Sequence, residues 1–353
     1  MLSNTQRAFS GISPDSGFFF DLDAHVLKAA ARPGATLASV SGEACGAFPS
    51  LIAKRLERYD VRLKAESERD QASPQPSGPE LHAAEFEWYF TEACAAELAG
   101  FLKPRFGTAL IMGGPTVAAA MRRSGTTPTA VDRSPYLAER FGSGISEQHL
   151  HDLRAPLGFL RSHGLVFFDA PWHEDHISRW LWQASYAVSR RGTIAFALFG
   201  ERTRPTARAE RARLLDKASA IGRVSVLEDA LHYDTPLFEA KALATAGCGI
   251  RSPWRRGDFV LIEDARSPIA PPPVPDERPW RTVLNGTRVT KLLPGHALPT
   301  ASPDEAAFRT LDTVSRSRIR EIAIGAWTSR NEIAPIAQRN SKSTPRRDSL
   351  RPV

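Results

Sequence analysis

The sequence predicts an α/β chain: a doubly wound, mainly parallel sheet with a helical N-terminal extension and a small C-terminal α+β extension. Three observations predict it. Short, wholly apolar runs alternate with helical stretches between residues 80 and 265, as expected of strands covered on both faces. Two Pro-rich segments bracket that region. Outside the brackets the pattern changes, to helix-like on the N-terminal side and to a hairpin signal on the C-terminal side.

Residues 1–70 carry a helix-like run from His25 to Ala31 that stops at Pro33-Gly34, and a second from Phe48 to Leu56. Tyr59 to Leu63 reads as a strand. Helix, break, helix and strand fit a winged-helix-like unit or an irregular helical extension. Residues 71–79, rich in Pro, Ser and Gly, read as a linker. In the central domain, residues 80–266, strands are expected at Ala109–Met112, Pro128–Val131, Ser146–Leu150, Leu165–Phe168, Thr193–Phe199, Val224–Leu227 and Phe259–Ile262. Helices are expected at Val117–Arg123, Ile177–Ser189 and Ala207–Ile221. Residues 267–279 form a second, Pro-rich linker with extended character. The module at 280–338 opens on a hairpin with Asn285-Gly286 at its turn and continues into a helix from Asp304 to about Ala326. The tail, 339–353, sets Arg339, Lys342, Arg346, Arg347 and Arg351 against Asp348, and reads as basic and disordered.

Composition narrows the function. With 42% hydrophobic and 24% charged residues a folded core is expected, which excludes wholesale disorder. The net charge of +7 favours an acidic partner such as nucleic acid, although Arg with Ala and Pro also marks GC-rich coding. Cys45, Cys94 and Cys248 form no C-x-x-C pair, so neither a zinc ribbon nor a disulfide framework is indicated, and a reducing cytoplasm fits. No signal peptide is read at the N-terminus, and no apolar run reaches ~18 residues, so no membrane partner is expected. His173-Glu174-Asp175-His176 is not H-E-x-x-H, and no metal is expected. Arg202, Arg204, Arg208, Arg211 and Arg213 form a basic run that fits phosphate contact or a solvated helix face.

Four elements carry chemistry. Gly113, Gly114, Pro115 and Thr116 turn the first strand into a helix, where missing Cβ atoms let a ligand approach the backbone. Asp132 ends the second strand about 20 residues on, where a carboxylate can accept from both ribose hydroxyls of an adenosyl group or cap the next helix. Asp152 follows the third strand within reach of an adenine amino group. Asp169-Ala170-Pro171-Trp172 ends the fourth strand. There Asp169 would accept from a substrate amino group, Pro171 would present a second acceptor carbonyl, and Trp172 would stack on a flat base. Tyr233 to Phe238 and Trp254 to Asp258 fit an acceptor pocket or ordinary packing equally well.

The Asp169-Ala170-Pro171-Trp172 segment resembles the (D/N/S)-P-P-(Y/F/W) motif of the N6-adenine and other amino methyltransferases. The upstream segment Trp88 to Leu98 is similar to the Q-Y-F-T-P segment of several DNA adenine methyltransferases, a match carried by Phe90 and Thr91. The resemblance spans roughly residues 85–262. It implies a methyltransferase-type Rossmann sheet, S-adenosyl-L-methionine as cofactor, and Phe90 and Thr91 beside its methionine end. It implies an enzyme transferring methyl to an amino nitrogen, with adenine of nucleic acid the leading acceptor. Ala170 replaces the first Pro of the motif, and Gly113-Gly114-Pro115 replaces the usual acidic glycine loop. That turn is closer to lysine methyltransferases acting on translation factors and to branched-chain polyamine synthases, so polyamine and protein-lysine acceptors stand as alternatives. A degenerate fold acting as a binding scaffold is the third.

Overall fold

The computed structural model describes residues 14–44, 46–65, 88–132, 147–150, 157–158, 161–236, 239–240, 243, 248, 250, 253–273, 281–285, 288–292, 309–310, 326–328, 332–334 and 351–352. Its centre is a seven-stranded sheet. The strands are β1 (Thr108–Met112), β2 (Thr129–Asp132), β3 (Glu147–Leu150), β4 (His163–Phe168), β5 (Val188–Phe199), β6 (Arg223–Tyr233) and β7 (Arg255–Glu263). They lie in the order β3-β2-β1-β4-β5-β7-β6. All pairings are parallel except those of β7, which runs antiparallel to both β5 and β6. The order reverses between β1 and β4, and ligand sites in open α/β sheets lie at the carboxyl ends of such strands.

The apolar runs explain why this sheet is covered twice. Along β4, Leu165 and Phe167 face one side while Val166 and Phe168 face the other. The first side receives α4 (Glu92–Phe101) and α5 (Pro115–Arg123). The second receives α6 (Glu174–Ala187) and α7 (Ala207–Ser219). Phe168 stacks on Phe196 at 4.9 Å with a 3° interplanar angle, which ties β4 to β5 at the rim. Truncating such a buried Phe costs about 3–5 kcal/mol.

The N-terminal extension is α1 (Pro14–Ala30), α2 (Leu37–Glu43) and α3 (Pro49–Glu57). Leu22, Val26, Val40, Ile52 and Leu56 form its own small core. Thr36 and Ser39 start α2 with a reciprocal capping box. The strand expected at Tyr59–Leu63 is absent: Lys64 makes only an isolated bridge to Thr36. Asp60, at φ +54, turns the chain, and the Tyr59 hydroxyl instead donates to Asp23, which also pairs with Arg55. The run expected from Phe48 to Leu56 is α3, with Pro49 in its first turn, whereas α2 was not expected as a helix.

The linker expected at 71–79 lies outside the described residues. So do residues 274–279 of the second linker and most of the 339–353 tail. Beyond them β8 (Arg281–Asn285) and β9 (Arg288–Leu292) pair antiparallel, with Asn285 opposite Arg288, so the connection falls one residue later than Asn285-Gly286. The helix expected from Asp304 is contradicted at two points. Arg309–Thr310 is a strand paired with Glu332–Ala334, and Ala326 opens the strand Ala326–Thr328. Ladder pairing overrides a local helical pattern there. In the tail expected to be disordered, Arg351–Pro352 pairs with Val283 and Leu284.

Candidate active site

Register sets the geometry of the rim. Met112 is level with Val131 of β2 and with Phe168 of β4. The next residues, Gly113, Asp132 and Asp169, therefore leave the sheet side by side. Two backbone bonds hold them level: Gly113 N–H donates to Val131 O at 3.0 Å, and Asp169 N–H donates to Met112 O at 3.1 Å. Asp132 and Asp169 share one rim but not neighbouring strands. They flank β1, two strand spacings or roughly 10 Å apart at the backbone.

Protein side chains approach the glycines closely. A Cβ on Gly113, which sits at φ +63, would lie 2.6 Å from the Trp180 ring of α6. A Cβ on Gly114 would lie 2.9 Å from Phe167. The vacated space thus admits protein side chains, and the turn is closely packed on those two sides. Helix α5 begins here with Gly114 as N-cap, no side-chain cap, and Pro115 at its first position. Thr116 is buried, and its hydroxyl has no hydrogen-bond partner among the described residues. A buried, uncapped helix start with an orphaned hydroxyl is complementary to an oxyanion. Asp152 lies outside the described residues.

Asp169 is half-buried and receives the Tyr233 hydroxyl at 3.0 Å. Burial pushes its carboxyl up to about 7, against the lowering influence of the Tyr233 hydrogen bond and the Arg255 charge. Tyr233 is in turn raised well above the ordinary tyrosine range, first by burial and then by the Asp169 charge. Pro171 is exposed, and its carbonyl already accepts the His173 N–H at 2.6 Å, which leaves one lone pair for any ligand. Trp172 is packed on several sides. The Arg255 guanidinium lies 3.9 Å over its ring, Tyr233 meets it edge-on at 5.5 Å, and a Cβ on Gly257 would lie 2.9 Å from it. The base-stacking face expected of Trp172 is thus taken by Arg255.

Phe90 and Thr91 stand behind the rim. Phe90 is fully buried, with its ring 4.5 Å from that of Tyr233 and 6.1 Å from that of Phe167, so it acts on the site through Tyr233. The Thr91 hydroxyl accepts the Cys94 N–H at 3.2 Å and caps α4.

Trp88, Tyr233 and Arg255 complete the site; the sequence offered Tyr233 and Arg255 only within segments that fit an acceptor pocket or packing equally well, and gave Trp88 no role of its own. Tyr233 and Arg255 end β6 and begin β7 and are paired in register. Between Leu227 and Leu231, three residues of β6 oppose one of β7. The two extra residues preserve the alternation, and the Asp258 carboxylate holds the turn by accepting from Asp229 N–H at 2.8 Å. A register of this kind, across a long connection, has no local signature. The aromatic-rich flanks were the available signal.

The N-terminal extension walls the same rim. Phe48 packs on Trp254 at 6.0 Å, and a Cβ on Gly46 would lie 3.4 Å from Trp172. The basic run after β5 is neutralised. Arg202 pairs with Asp21, Arg204 with Glu210, Arg208 with Glu201, Arg211 with Asp258, and Arg213 with Glu174. Among the described residues no helix is long and apolar enough to cross a membrane.

No protein-family model matches the chain, and no curated protein matches it in sequence. Solved structures do. The branched-chain polyamine synthase of Thermus thermophilus, in complex with N4-aminopropylspermidine and 5'-methylthioadenosine, superposes with a TM-score of 0.56 at 15% identity, over 77% of this chain and 94% of that chain. A mutein of it in the same complex gives a TM-score of 0.55 at 14% identity, over 75% of this chain and 95% of that chain. The Thermus thermophilus 16S rRNA N2 G1207 methyltransferase, in complex with AdoMet and guanosine, aligns at a TM-score of 0.33 and 13% identity, over 60% of this chain and 49% of that chain. Together with the strand order and the antiparallel β7, the two chain-wide likenesses identify the fold as a methyltransferase-type Rossmann domain.

Proposed function

We propose that the chain transfers the methyl group of S-adenosyl-L-methionine to an amino nitrogen held at Asp169. The single observation carrying this reading is the level register of Asp132, Gly113 and Asp169 on one rim. The residues fit the donor. The Asp132 carboxylate suits the ribose hydroxyls. The α5 start with the orphaned Thr116 hydroxyl suits the carboxylate of the methionine portion. When bound, the donor supplies an activated methyl sulfonium.

At the acceptor end, Asp169 accepts an N–H of the amine and aims the nitrogen lone pair, with the remaining lone pair of the Pro171 carbonyl as a second acceptor. A nitrogen–carbon bond forms as the carbon–sulfur bond breaks, and the electron pair stays on sulfur. The proton shed by nitrogen passes to Asp169, whose value of about 7 suits it to take and release a proton near neutrality. Tyr233 fixes the carboxylate for that exchange.

Aminopropyl transfer to a polyamine is the second reading, favoured by the chain-wide likeness to the polyamine synthases. Its donor lacks a carboxylate, which would leave the Thr116 end of the site without a partner. Adenine in nucleic acid, the acceptor the resemblance puts first, requires Arg255 to yield the face of Trp172.

The test pairs calorimetry with mass spectrometry. S-adenosyl-L-methionine should bind more tightly than its decarboxylated form, and labelled methyl should appear on nitrogen in one of three pools: nucleic acid, protein or polyamine. No binding of either donor at millimolar concentration would leave the scaffold reading. Transfer of aminopropyl alone would establish the second.

A further inference from the structure

The acceptor side of the rim holds a cation of its own. The Arg255 guanidinium lies 4.4 Å over the ring of Trp88, 3.9 Å over that of Trp172 and 5.6 Å from that of Tyr233. Such stacking suits Arg above Lys, because a guanidinium is planar and weakly hydrated. Arg255 is partly exposed, as are Trp88 and Trp172, so the cage opens to solvent. Among the described residues no carboxylate forms a direct ion pair with it, and its buried Nε has no hydrogen-bond partner. The charged groups facing it at longer range are Asp169 and Glu239 on the acidic side and Arg204 on the basic side. Arg204 is already paired with Glu210. Asp169 is already shared with Tyr233 and stands ready for one amine.

We propose that Arg255 selects the acceptor by charge, admitting an amine whose carrier bears an oxyanion, a carboxylate or a phosphate, and repelling a carrier with a second ammonium. This rests on the amino-transfer reading and names its substrate class. One ammonium or amino group is accommodated by Asp169. A second positive group placed beside Asp169 meets the caged guanidinium, whose charge no contacting carboxylate cancels. An oxyanion in the same position gains a charge-assisted partner in a partly desolvated setting. The rings fix Arg255 in place, so the discrimination requires little reorganisation.

The test measures acceptor binding to the full chain by calorimetry, with S-adenosylhomocysteine present and absent. For the carboxylate source the matched set is butylamine, 4-aminobutyrate and 1,4-diaminobutane. For the phosphate source it is adenosine and adenosine 5'-monophosphate. The wild-type protein should bind at least one oxyanion-bearing member about tenfold or more tightly than its uncharged match, and the diamine most weakly. The Arg255→Met protein should bind all members of a set within about twofold, whereas Arg255→Lys should keep the sign of the preference. Wild-type protein that binds the diamine best, shows no preference, or binds no oxyanion member at millimolar concentration overturns the proposal. So does a preference unchanged in Arg255→Met whose melting temperature matches wild type. If that variant fails to fold, the wild-type ranking and Arg255→Lys decide. Failure of S-adenosylhomocysteine to bind sinks the adenosyl reading instead, and the ranking measured without it still tests Arg255.

Discussion

The two halves of the rim are built by different means. The donor half, around Gly113, Thr116 and Asp132, comes from one β-α-β stretch of consecutive chain. The acceptor half joins Trp88, Asp169, Trp172, Tyr233 and Arg255, from four separate places in the sequence. The donor half holds an orphaned Thr116 hydroxyl at a buried helix start. The acceptor half is aromatic, dense and charged, with a carboxyl pushed up to about 7 and a caged guanidinium. On the proposed reading, a local turn is enough to hold the donor. Choosing an acceptor takes side chains that only the assembled sheet brings together.

The largest expected effects separate the halves directly. Asp169→Ala should lower methyl transfer by about 10²–10³-fold while donor affinity changes by less than about threefold. Asp132→Ala should do the reverse, weakening donor binding by about 10- to 100-fold, the worth of hydrogen bonds to a charged group. Single-turnover rates and calorimetric titration read the two quantities separately. Donor affinity that falls as far in Asp169→Ala as in Asp132→Ala would mean that the rim is one site without division.

The strands and turn that frame the proposed donor half were legible in the sequence. Ala109 to Met112 is continuously apolar because β1 is buried on both faces, and Gly113-Gly114 could only follow such a strand as a turn. Asp132 was placed by the same logic. The side chains packed on the glycines were not legible: Trp180, on a helix more than 60 residues later, fills the space at Gly113, and Phe167 of β4 fills that at Gly114. In the acceptor half Asp169-Ala170-Pro171-Trp172 stood out most, because its residues adjoin one strand, while the segments holding Tyr233 and Arg255 fitted a pocket and packing equally well. Tyr233 and Arg255 meet through an antiparallel register with two extra residues, and periodicity carries no trace of that. The N-terminal extension had its helices in roughly the right places, but its role as a wall beside Trp172 depends on contacts across the whole chain.

Gly113→Ala sharpens the comparison from the donor side. The new Cβ combines a left-handed backbone with a 2.6 Å approach to Trp180. The protein should lose about 1–3 kcal/mol of stability to chemical denaturation. Trp180→Leu in the same chain should recover part of the loss, since the steric share of the strain lies between those two residues. No recovery would assign the loss to the backbone alone.

Asp169 also makes the acceptor half sensitive to pH. Its folded-state value, about 7, is above the ordinary aspartate value of 3.8, because burial disfavours the charged form. A raised acid binds its proton more tightly in the folded state, so its contribution is complete below about pH 4 and is lost as pH rises through 7. Asp169→Asn, which cannot ionise, should therefore be more stable than wild type at pH 8 by on the order of 2 kcal/mol, with the advantage gone by about pH 4. Methyl transfer by the wild type should rise through an apparent value near 7 as the carboxylate forms. In Tyr233→Phe, without the hydrogen bond that lowers Asp169, the midpoint should move to higher pH.

The smallest expected effect bears on Thr91, which belongs to the donor half by resemblance and to α4 by geometry. Its hydroxyl accepts the Cys94 N–H at 3.2 Å, so the lone pair that would face a ligand is committed to the first turn of the helix. Thr91→Val keeps the shape and removes the acceptor, and should cost about 1 kcal/mol of stability with donor affinity unchanged. Thr91→Ser should restore the stability, because the cap needs only the oxygen. If Thr91→Val instead weakens donor binding by about tenfold at full stability, the hydroxyl faces the cofactor. The boundary of the donor half would then lie beyond β1, at the head of α4.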